Sequence, residues 1–225
     1  MMNSEIIPAV NEEVWGLVEE RIRKVEPYAE WVHLDVADGT FTPNQLWQNP
    51  LDLKDFKTPL KIEVHLMMKR PETVVGDWIT AGAKRIIVHA EALTDDSFLA
   101  IKEICQNAGA GLMISVTPES SWKFLTLYMG HGIVSFQVLS VHPGVAGQTM
   151  ITGGGEFPYL ESSYDKISGL RAHCPDCDIE VDGGVKIGIA KKCREAGANL
   201  FAVSSAIFSS ADIGKAISDL ETDVA

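Results

Sequence analysis

The chain alternates between short segments rich in β-branched and aromatic residues and longer segments with a helical pattern. Predicted strands cover residues 6–10, 31–36, 61–65, 85–89, 111–116, 133–141, 179–181 and 200–203. Predicted helices cover residues 12–25, 71–81, 95–108, 156–173, 186–196 and 211–220, with two shorter ones near 51–56 and 122–129. Strands that alternate with helices build parallel sheets, so these eight units predict a single (β/α)8 TIM barrel of the α/β class. A doubly wound open sheet is the alternative, because periodicity alone does not close a barrel.

Residues 1–225 form one predicted domain, because no linker or low-complexity tract interrupts the pattern. A chain of this length can bury a large core on its own. Its formal net charge of −12 repels the phosphates of nucleic acids, so we expect no nucleic-acid partner. A small phosphorylated metabolite stays possible, since backbone amides can bind a single phosphate locally.

The first residues and the cysteines of the chain suggest an intracellular protein. The first residues carry neither a basic region nor a long apolar run, so we expect no signal peptide. No segment predicts a membrane span, and no membrane partner is expected. Four cysteines in a chain of this length do not indicate a disulfide framework. Cys174 and Cys177 have the spacing of a zinc ligand pair, but zinc needs two further ligands, so we interpret the pair as structural or incidental. The expected location is cytoplasmic.

Polar side chains stand at the ends of three predicted strands. His33 and Asp35 lie two residues apart on the second strand, so both side chains point to the same face. His65 ends the third strand and Asp182 follows the seventh. The carboxyl ends of barrel strands meet at one mouth, where all four side chains would converge. Any one of them alone would be interpreted as a satisfied core residue, but together they suit one divalent ion such as zinc, manganese, iron or cobalt.

Glycine and serine cluster in the loops after the last three strands. These are Gly144 and Gly147 after the sixth, Gly183 and Gly184 after the seventh, and Ser204 and Ser205 after the eighth. Backbone amides at this end of a barrel often hold a phosphate. Loop glycines also form ordinary turns, but their concentration at the last strands favours a phosphate site.

Several other residues are weaker candidates. Asp38 precedes Gly39 and is interpreted as a turn residue that binds its own backbone. His89 and Glu91 end the fourth strand, where they could support the site without acting as ligands. We expect Met67 and Met68 to line the core and the cavity, and His131 and His173 to lie at the surface.

Seven colinear motifs resemble the ribulose-phosphate 3-epimerase family. They are His33-Leu34-Asp35-Val36-Ala37-Asp38-Gly39, Thr42-Pro43-Asn44, Val64-His65-Leu66-Met67 with Pro71-Glu72, His89-Ala90-Glu91-Ala92, Val141-His142-Pro143-Gly144 through Gly147-Gln148, Val181-Asp182-Gly183-Gly184-Val185 and Ser205-Ala206-Ile207-Phe208. They span nearly the whole chain, and their shared order is hard to obtain by chance.

The resemblance implies a (β/α)8 barrel that inverts C3 of a ketose phosphate, converting D-ribulose 5-phosphate into D-xylulose 5-phosphate. It implies one metal ion held by His33, Asp35, His65 and Asp182, with Asp35 and Asp182 also acting as the acid/base pair. It implies that His65 contacts the substrate, and that the phosphate is held by Gly144, Val145, Ala146, Gly147, Gly183, Gly184, Ser204 and Ser205. Family members commonly form dimers or hexamers, so a homo-oligomer is expected.

The chain departs from the family pattern around the expected cavity. Ala9 replaces a serine, Ala37 and Leu139 replace methionines, His142 replaces an asparagine, and Val145 and Ala146 replace Phe and Gly. A glycine-rich stretch over 152–155 also looks inserted. The hypothesis is that the reaction type is kept while the accepted sugar phosphate differs.

Three alternatives stay open. One is an epimerase of a hexulose 6-phosphate such as allulose 6-phosphate. A second is a barrel decarboxylase or lyase, which the sequence disfavours because Val36 and Ala37 stand where such enzymes carry a lysine. A third is a non-catalytic sugar-phosphate-binding barrel, since a fold does not imply a function.

Overall fold

A computed structural model describes residues 3–143, 148–151 and 161–225 of the chain. Its strands are β1 Glu5–Val10, β2 Trp31–Ala37, β3 Lys61–Met67, β4 Arg85–His89, β5 Gly111–Val116, β6 Ser135–Leu139, β7 Asp178–Asp182 and β8 Leu200–Val203. Within the described ranges these eight parallel strands pair in chain order, and β1 also pairs with β8. The predicted closed barrel is therefore confirmed, and the open-sheet alternative is wrong.

Helices connect the strands around the outside of the barrel. They are α1 Trp15–Val25, α2 Pro50–Lys54, α3 Val75–Ala81, α4 Asp95–Ala108, α5 Thr126–Met129, α6 Ser163–His173, α7 Ile189–Ala196, α8 Ser205–Phe208 and α9 Ile213–Asp223. Short 3₁₀ turns occupy Pro71–Thr73, Ala90–Ala92 and Trp122–Leu125. In the part of the chain that the structure describes, no helix is long and apolar enough to cross a bilayer.

Some helices begin later than their sequence pattern predicts. The pattern places the start of α1 at residue 12, but the Glu12 carbonyl accepts a hydrogen bond from the Trp47 amide at 2.8 Å and so belongs to a loop contact. The start of α7 moves from 186 to 189 because Gly188 has φ +79°, which interrupts a right-handed helix. Ser162 caps α6, its side chain accepting from the Asp165 amide at 3.1 Å, whereas residues 156–160 lie outside the described residues.

Two other elements differ from the prediction at the carboxyl end of the barrel. Strand β6 ends at Leu139 rather than at 141, and Ser140 keeps one bond to the Asp182 carbonyl (2.7 Å) before the chain turns into a loop. The segment after β8 forms the unpredicted short helix α8, in which the Ser204 carbonyl accepts from the amides of Ile207 and Phe208. A short extra helix at this position is a recurrent feature of phosphate-binding barrels.

The strand alternation sorts side chains into an apolar outer face and a mixed interior. Outward-facing residues such as Phe136 and Phe201 pack against the helices as part of one large core. Inside the barrel, a small apolar cluster consists of Ile7, Ile87, Met113 and Leu200. Much of the remaining interior is polar, with no exposed area on His33, Glu63, His65, His89, Gln137 or Glu180. Buried polar groups of this kind need hydrogen-bond or ionic partners.

Gly169 offers a test of how α6 packs on the neighbouring 3₁₀ turn. A Cβ atom there would lie 2.3 Å from Nε1 of the Trp122 indole, so Gly169→Ala is expected to lower the free energy of unfolding by about 1–3 kcal/mol. Gly76 in α3 is the matched control, because a Cβ there meets nothing within 4 Å. Gly76→Ala is expected to raise stability by about 0.5–1 kcal/mol. Urea unfolding measures both, and equal shifts for the two variants would contradict the packing argument.

Candidate metal and proton-transfer site

The four predicted strand-end residues meet inside the mouth of the barrel. The parallel register places Asp35 of β2 beside His65 of β3, and His33 beside Glu63. Asp182 ends β7 and pairs with Ala202 of β8, across the barrel from β3. His33 and His65 are fully buried, and Asp182 is 8% exposed. The structure thus brings together all four residues that the sequence singled out.

The spacing of their polar atoms fits a metal ion. Asp35 Oδ1 lies 3.2 Å from His33 Nε2 and 3.0 Å from His65 Nδ1. Asp182 Oδ2 lies 4.0 Å from His33 Nε2 and 3.6 Å from His65 Nδ1. Ligands placed tetrahedrally about 2.0–2.2 Å from an ion are about 3.4 Å from one another. The observed distances lie on either side of that value, so these four side chains form a candidate metal site.

A buried ion-pair network below this cluster orients His33. Its Nδ1 lies 2.7 Å from Glu63 Oε1, which leaves Nε2 directed at the candidate site. Arg85 Nε donates to Glu63 Oε2 at 2.7 Å, and Arg85 also lies over the Trp31 ring. Metal-binding histidines commonly donate their second nitrogen to a carboxylate in this way, because it fixes the ring and its tautomer.

Glu180 belongs to the same network on β7. Its Oε1 accepts from Gln137 Nε2 at 2.8 Å and lies 3.7 Å from His33 Nδ1, while its Oε2 lies 3.6 Å from Arg85. Sequence reasoning missed Glu63, Arg85 and Glu180 as parts of the site. A signal for the two glutamates was present, because Glu63 and Glu180 each stand two residues before a predicted ligand and so share its face. What the sequence could not supply was the cross-strand register.

His65 is oriented by a second histidine. Its Nε2 lies 2.9 Å from Nε2 of His89, and both rings are fully buried. His89 stacks on Phe41, with ring centroids 4.6 Å apart. Burial lowers the pKa of His89 to about 4, so this ring is neutral at physiological pH. The expected supporting role of His89 thus corresponds to a direct contact with His65.

The two carboxylates differ in their affinity for protons. Burial raises the pKa of Asp182 to about 6, and the negative charge of Asp35 acts in the same direction. Burial also acts to raise the pKa of Asp35, but hydrogen bonds with His33 and His65 outweigh it and hold that pKa well below its usual range. The pair therefore offers one ionised carboxylate and one that can hold a proton near neutral pH. Carboxyl groups with separated pKa values are the usual basis of acid/base division of labour.

A cavity runs from these carboxylates to the ends of β7 and β8. Its lining includes Ala9, Asn11, Asp35, Met67, Leu139, Asp182, Gly183, Gly184, Ser204 and Ser205. Gly183 and Gly184 both have positive φ, and a Cβ on Gly184 would lie 2.4 Å from the Met150 amide nitrogen. Only glycine fits this close approach. Four of the predicted phosphate ligands, Gly144, Val145, Ala146 and Gly147, lie outside the described residues.

The structure also describes the weaker candidate residues and the cysteine pair. Asp38 Oδ1 accepts from the amide (2.9 Å) and the hydroxyl (2.6 Å) of Thr40, which confirms its turn role. Cys174 and Cys177 form a disulfide within the loop between α6 and β7, which the cysteine content did not predict, so the pair is structural rather than incidental. Met67 lines the cavity and Met68 is in the core, whereas His131 and His173 are exposed.

Sequence comparisons identify one family. The sequence profile of the ribulose-phosphate 3 epimerase family matches residues 6–208. Ribulose-phosphate 3-epimerase from Escherichia coli (strain K12) is 31% identical over 93% of this chain and 90% of its own length. The Synechocystis sp. protein of the same name is 32% identical over 96% and 92%. The chloroplastic ribulose-5-phosphate-3-epimerase from Arabidopsis thaliana is 32% identical over 97% and 77%.

Solved structures share the fold at low sequence identity. The structure of 3-hexulose-6-phosphate synthase from Salmonella typhimurium matches with a TM-score of 0.73 and 15% identity, over 98% of both chains. Orotidine 5'-phosphate decarboxylase from Pyrococcus horikoshii matches with a TM-score of 0.65 and 17% identity, over 97% of this chain and 98% of that one. At these identities the likeness supports the barrel alone.

The raised pKa of Asp182 predicts a pH-dependent effect of Asp182→Asn on the metal-free protein. Because the folded pKa of about 6 exceeds the usual 3.8, the protonated form favours folding, and this contribution is lost as the pH rises through 6. Removing the charge should therefore stabilise the protein by on the order of 1–3 kcal/mol at about pH 8 and much less near pH 4. Urea unfolding with a chelator present measures this change.

Asp38→Asn is the control for this experiment, because Asn keeps the oxygen that accepts from Thr40. We expect its effect to stay within about 0.5 kcal/mol at both pH values. Equal stabilisation by Asp182→Asn at both pH values would show that the charge of Asp182 is not the cause.

Proposed function

Because this chain belongs to the ribulose-phosphate 3-epimerase family, we propose that it is a metal-dependent epimerase acting on C3 of a ketose phosphate. The proposed reaction converts D-ribulose 5-phosphate into D-xylulose 5-phosphate. The observation that carries the proposal is the pair of carboxylates, buried Asp182 and partly buried Asp35, set around two imidazoles at the mouth of the barrel. A protein that only binds a sugar phosphate has no need of two carboxyl groups whose pKa values are shifted in opposite directions.

The proposed chemistry follows from the two carboxylates. Inversion at a carbon next to a carbonyl requires removal of a proton from one face and its return to the other. Asp35, held ionised, can remove the C3 proton, while Asp182, with a pKa of about 6, can supply a proton from the opposite side. In the reverse direction the two residues exchange roles. The route passes through an enediolate, and no redox step is involved.

His33, Asp35, His65 and Asp182 are the proposed ligands of one divalent ion. When bound, the ion would act as a Lewis acid that stabilises negative charge on the substrate oxygens. Two imidazoles and two carboxylates suit zinc, manganese, iron or cobalt. Glu63 supports this assignment, since its contact with Nδ1 of His33 leaves Nε2 free to face the ion.

The phosphate would lie at the ends of β7 and β8. Gly183 and Gly184 let the backbone approach closely, and Ser204 and Ser205 open α8 at the same end of the cavity. The proposed set also includes Gly144, Val145, Ala146 and Gly147, and His65 is proposed to contact the sugar. We further propose a cytoplasmic location and a homo-oligomeric state, the latter testable by light scattering.

A hexulose 6-phosphate such as allulose 6-phosphate is the second candidate substrate. It is favoured by Ala9 and Leu139, which line the cavity at positions where the family resemblance led us to expect serine and methionine. Turnover of matched pentulose and hexulose phosphates separates the two. An exclusive preference for ribulose 5-phosphate would rule out the second candidate.

The direct test follows the conversion of ribulose 5-phosphate in D₂O by the metal-reconstituted protein. We expect metal-dependent epimerisation with deuterium entering at C3, because the returned proton comes from an exchangeable carboxyl group. Asp35→Asn and Asp182→Asn should each lower kcat about 10²–10⁴-fold by removing one partner of the proton transfer. Asp38→Asn, whose side chain is engaged in a turn, should retain near-normal activity. Full activity in Asp182→Asn, or no turnover of any ketose phosphate by a protein that binds metal, would contradict the proposal.

The proposed phosphate position predicts that a negative charge beside it raises KM but leaves kcat nearly unchanged. Ser205→Asp places a negative charge at the start of α8, so repulsion of the substrate phosphate should raise KM about tenfold or more with little change in kcat. Ser209→Asp is the matched control, because Ser209 is exposed at the other end of the same short helix. Steady-state kinetics of both variants measure KM and kcat, and equal KM values would place the phosphate elsewhere.

A further inference from the structure

The second ring nitrogen of His65 has an unusual partner for a proposed metal ligand. It lies 2.9 Å from Nε2 of His89, with the ring centroids 4.9 Å apart and both residues fully buried. Two neutral imidazoles can hydrogen-bond only when one nitrogen carries hydrogen and the other presents a lone pair. The contact therefore admits two arrangements of neutral rings, and they differ in which nitrogen of His65 carries the hydrogen.

The far side of His89 distinguishes the two arrangements. Its Nδ1 faces Glu91 Oε2 at 3.6 Å, too long for a hydrogen bond but close enough for electrostatic attraction. Glu91 is itself held in place, because its Oε1 accepts from the Thr117 amide (2.9 Å) and hydroxyl (3.0 Å). A carboxylate at this position favours the His89 tautomer that carries hydrogen on Nδ1. Its Nε2 then presents a lone pair to His65.

We propose that His89 and Glu91 are positioning residues that select the metal-binding tautomer of His65. When an ion is bound, His65 would carry its hydrogen on Nε2 and donate it to His89, and the lone pair of Nδ1 would be directed at the ion beside Asp35 and Asp182. We call His89 and Glu91 the relay. Without the relay the competing tautomer of His65 is favoured, because a hydrogen on His65 Nδ1 could be donated to Asp35 Oδ1, which lies only 3.0 Å away. The inference rests on the proposed function, since only a bound ion requires the Nδ1 lone pair.

The relay differs from the support given to the other proposed histidine ligand. His33 contacts the carboxylate of Glu63 directly, and Glu63 is in turn paired with Arg85. His65 instead reaches the carboxylate of Glu91 through the neutral ring of His89. The relay also connects the site to the loop after β5, because Glu91 accepts from the Thr117 amide. The Thr117 carbonyl in turn accepts from the buried Lys166 ammonium of α6 at 3.0 Å.

The test measures the affinity of the metal-free protein for Zn²⁺ and Mn²⁺ by competition with a chelator. His89→Leu removes the acceptor, and Glu91→Gln removes the charge while keeping an oxygen for Thr117. Both should weaken binding, by about 10–100-fold for His89→Leu and less for Glu91→Gln. His89→Gln can place an amide oxygen near the former Nε2 position and should recover part of the loss. His131→Gln, at an exposed histidine, should bind as the wild type does.

The outcomes separate this inference from the proposed function. A wild-type protein that binds neither ion would contradict the proposed metal site itself. A wild type that binds while His89→Leu and Glu91→Gln bind equally well would overturn the relay and leave the function intact. If His89→Leu fails to fold, the metal affinities of Glu91→Gln and His89→Gln provide the test. The unfolding midpoint of each metal-free variant is compared with that of the wild type to check that it folds. Unchanged affinity in both would then overturn the inference.

Discussion

The structure depends on how a closed barrel compensates several ionisable groups buried in its interior. An uncompensated buried charge is strongly unfavourable, so each group must be paired, neutralised or bound to a cation. Glu63 is satisfied by Arg85 and His33, and Asp35 by His33 and His65. Asp182 has only longer contacts to the two imidazoles, and burial raises its pKa to about 6. The site thus retains a demand for positive charge, which a proton or a divalent ion can meet.

The same compensation links the fold to the proposed chemistry. The strand register sets His33 against Glu63 in one interior layer and Asp35 against His65 in the next. Glu63 orients His33 from the lower layer, and Asp35 in the upper layer faces the cavity where the proposed proton transfer takes place. The glycine pair after β7 leaves the cavity open towards α8, where a phosphate would anchor the sugar. Preorganised groups of this kind need little rearrangement during reaction.

Much of the architecture could be predicted from the sequence because it depends on local periodicity. The alternation of strands and helices predicted the barrel, and the two-residue spacing of His33 and Asp35 predicted a shared face. The supporting residues could not be predicted in the same way, because the contacts of His33 with Glu63 and of His65 with His89 depend on pairing between strands. Helix boundaries shifted where a tertiary contact, such as that of Glu12 with Trp47, took a backbone group away from the helix.

The proposed function requires that four side chains hold one metal ion between two proton-transferring carboxylates. Anomalous diffraction at the metal absorption edge, on crystals of the Mn²⁺- or Zn²⁺-loaded protein, would locate the ion. We expect one peak within about 2.0–2.3 Å of His33 Nε2, His65 Nδ1 and oxygens of Asp35 and Asp182. A peak at another site, or a loaded ion that contacts neither carboxylate, would contradict the proposed function.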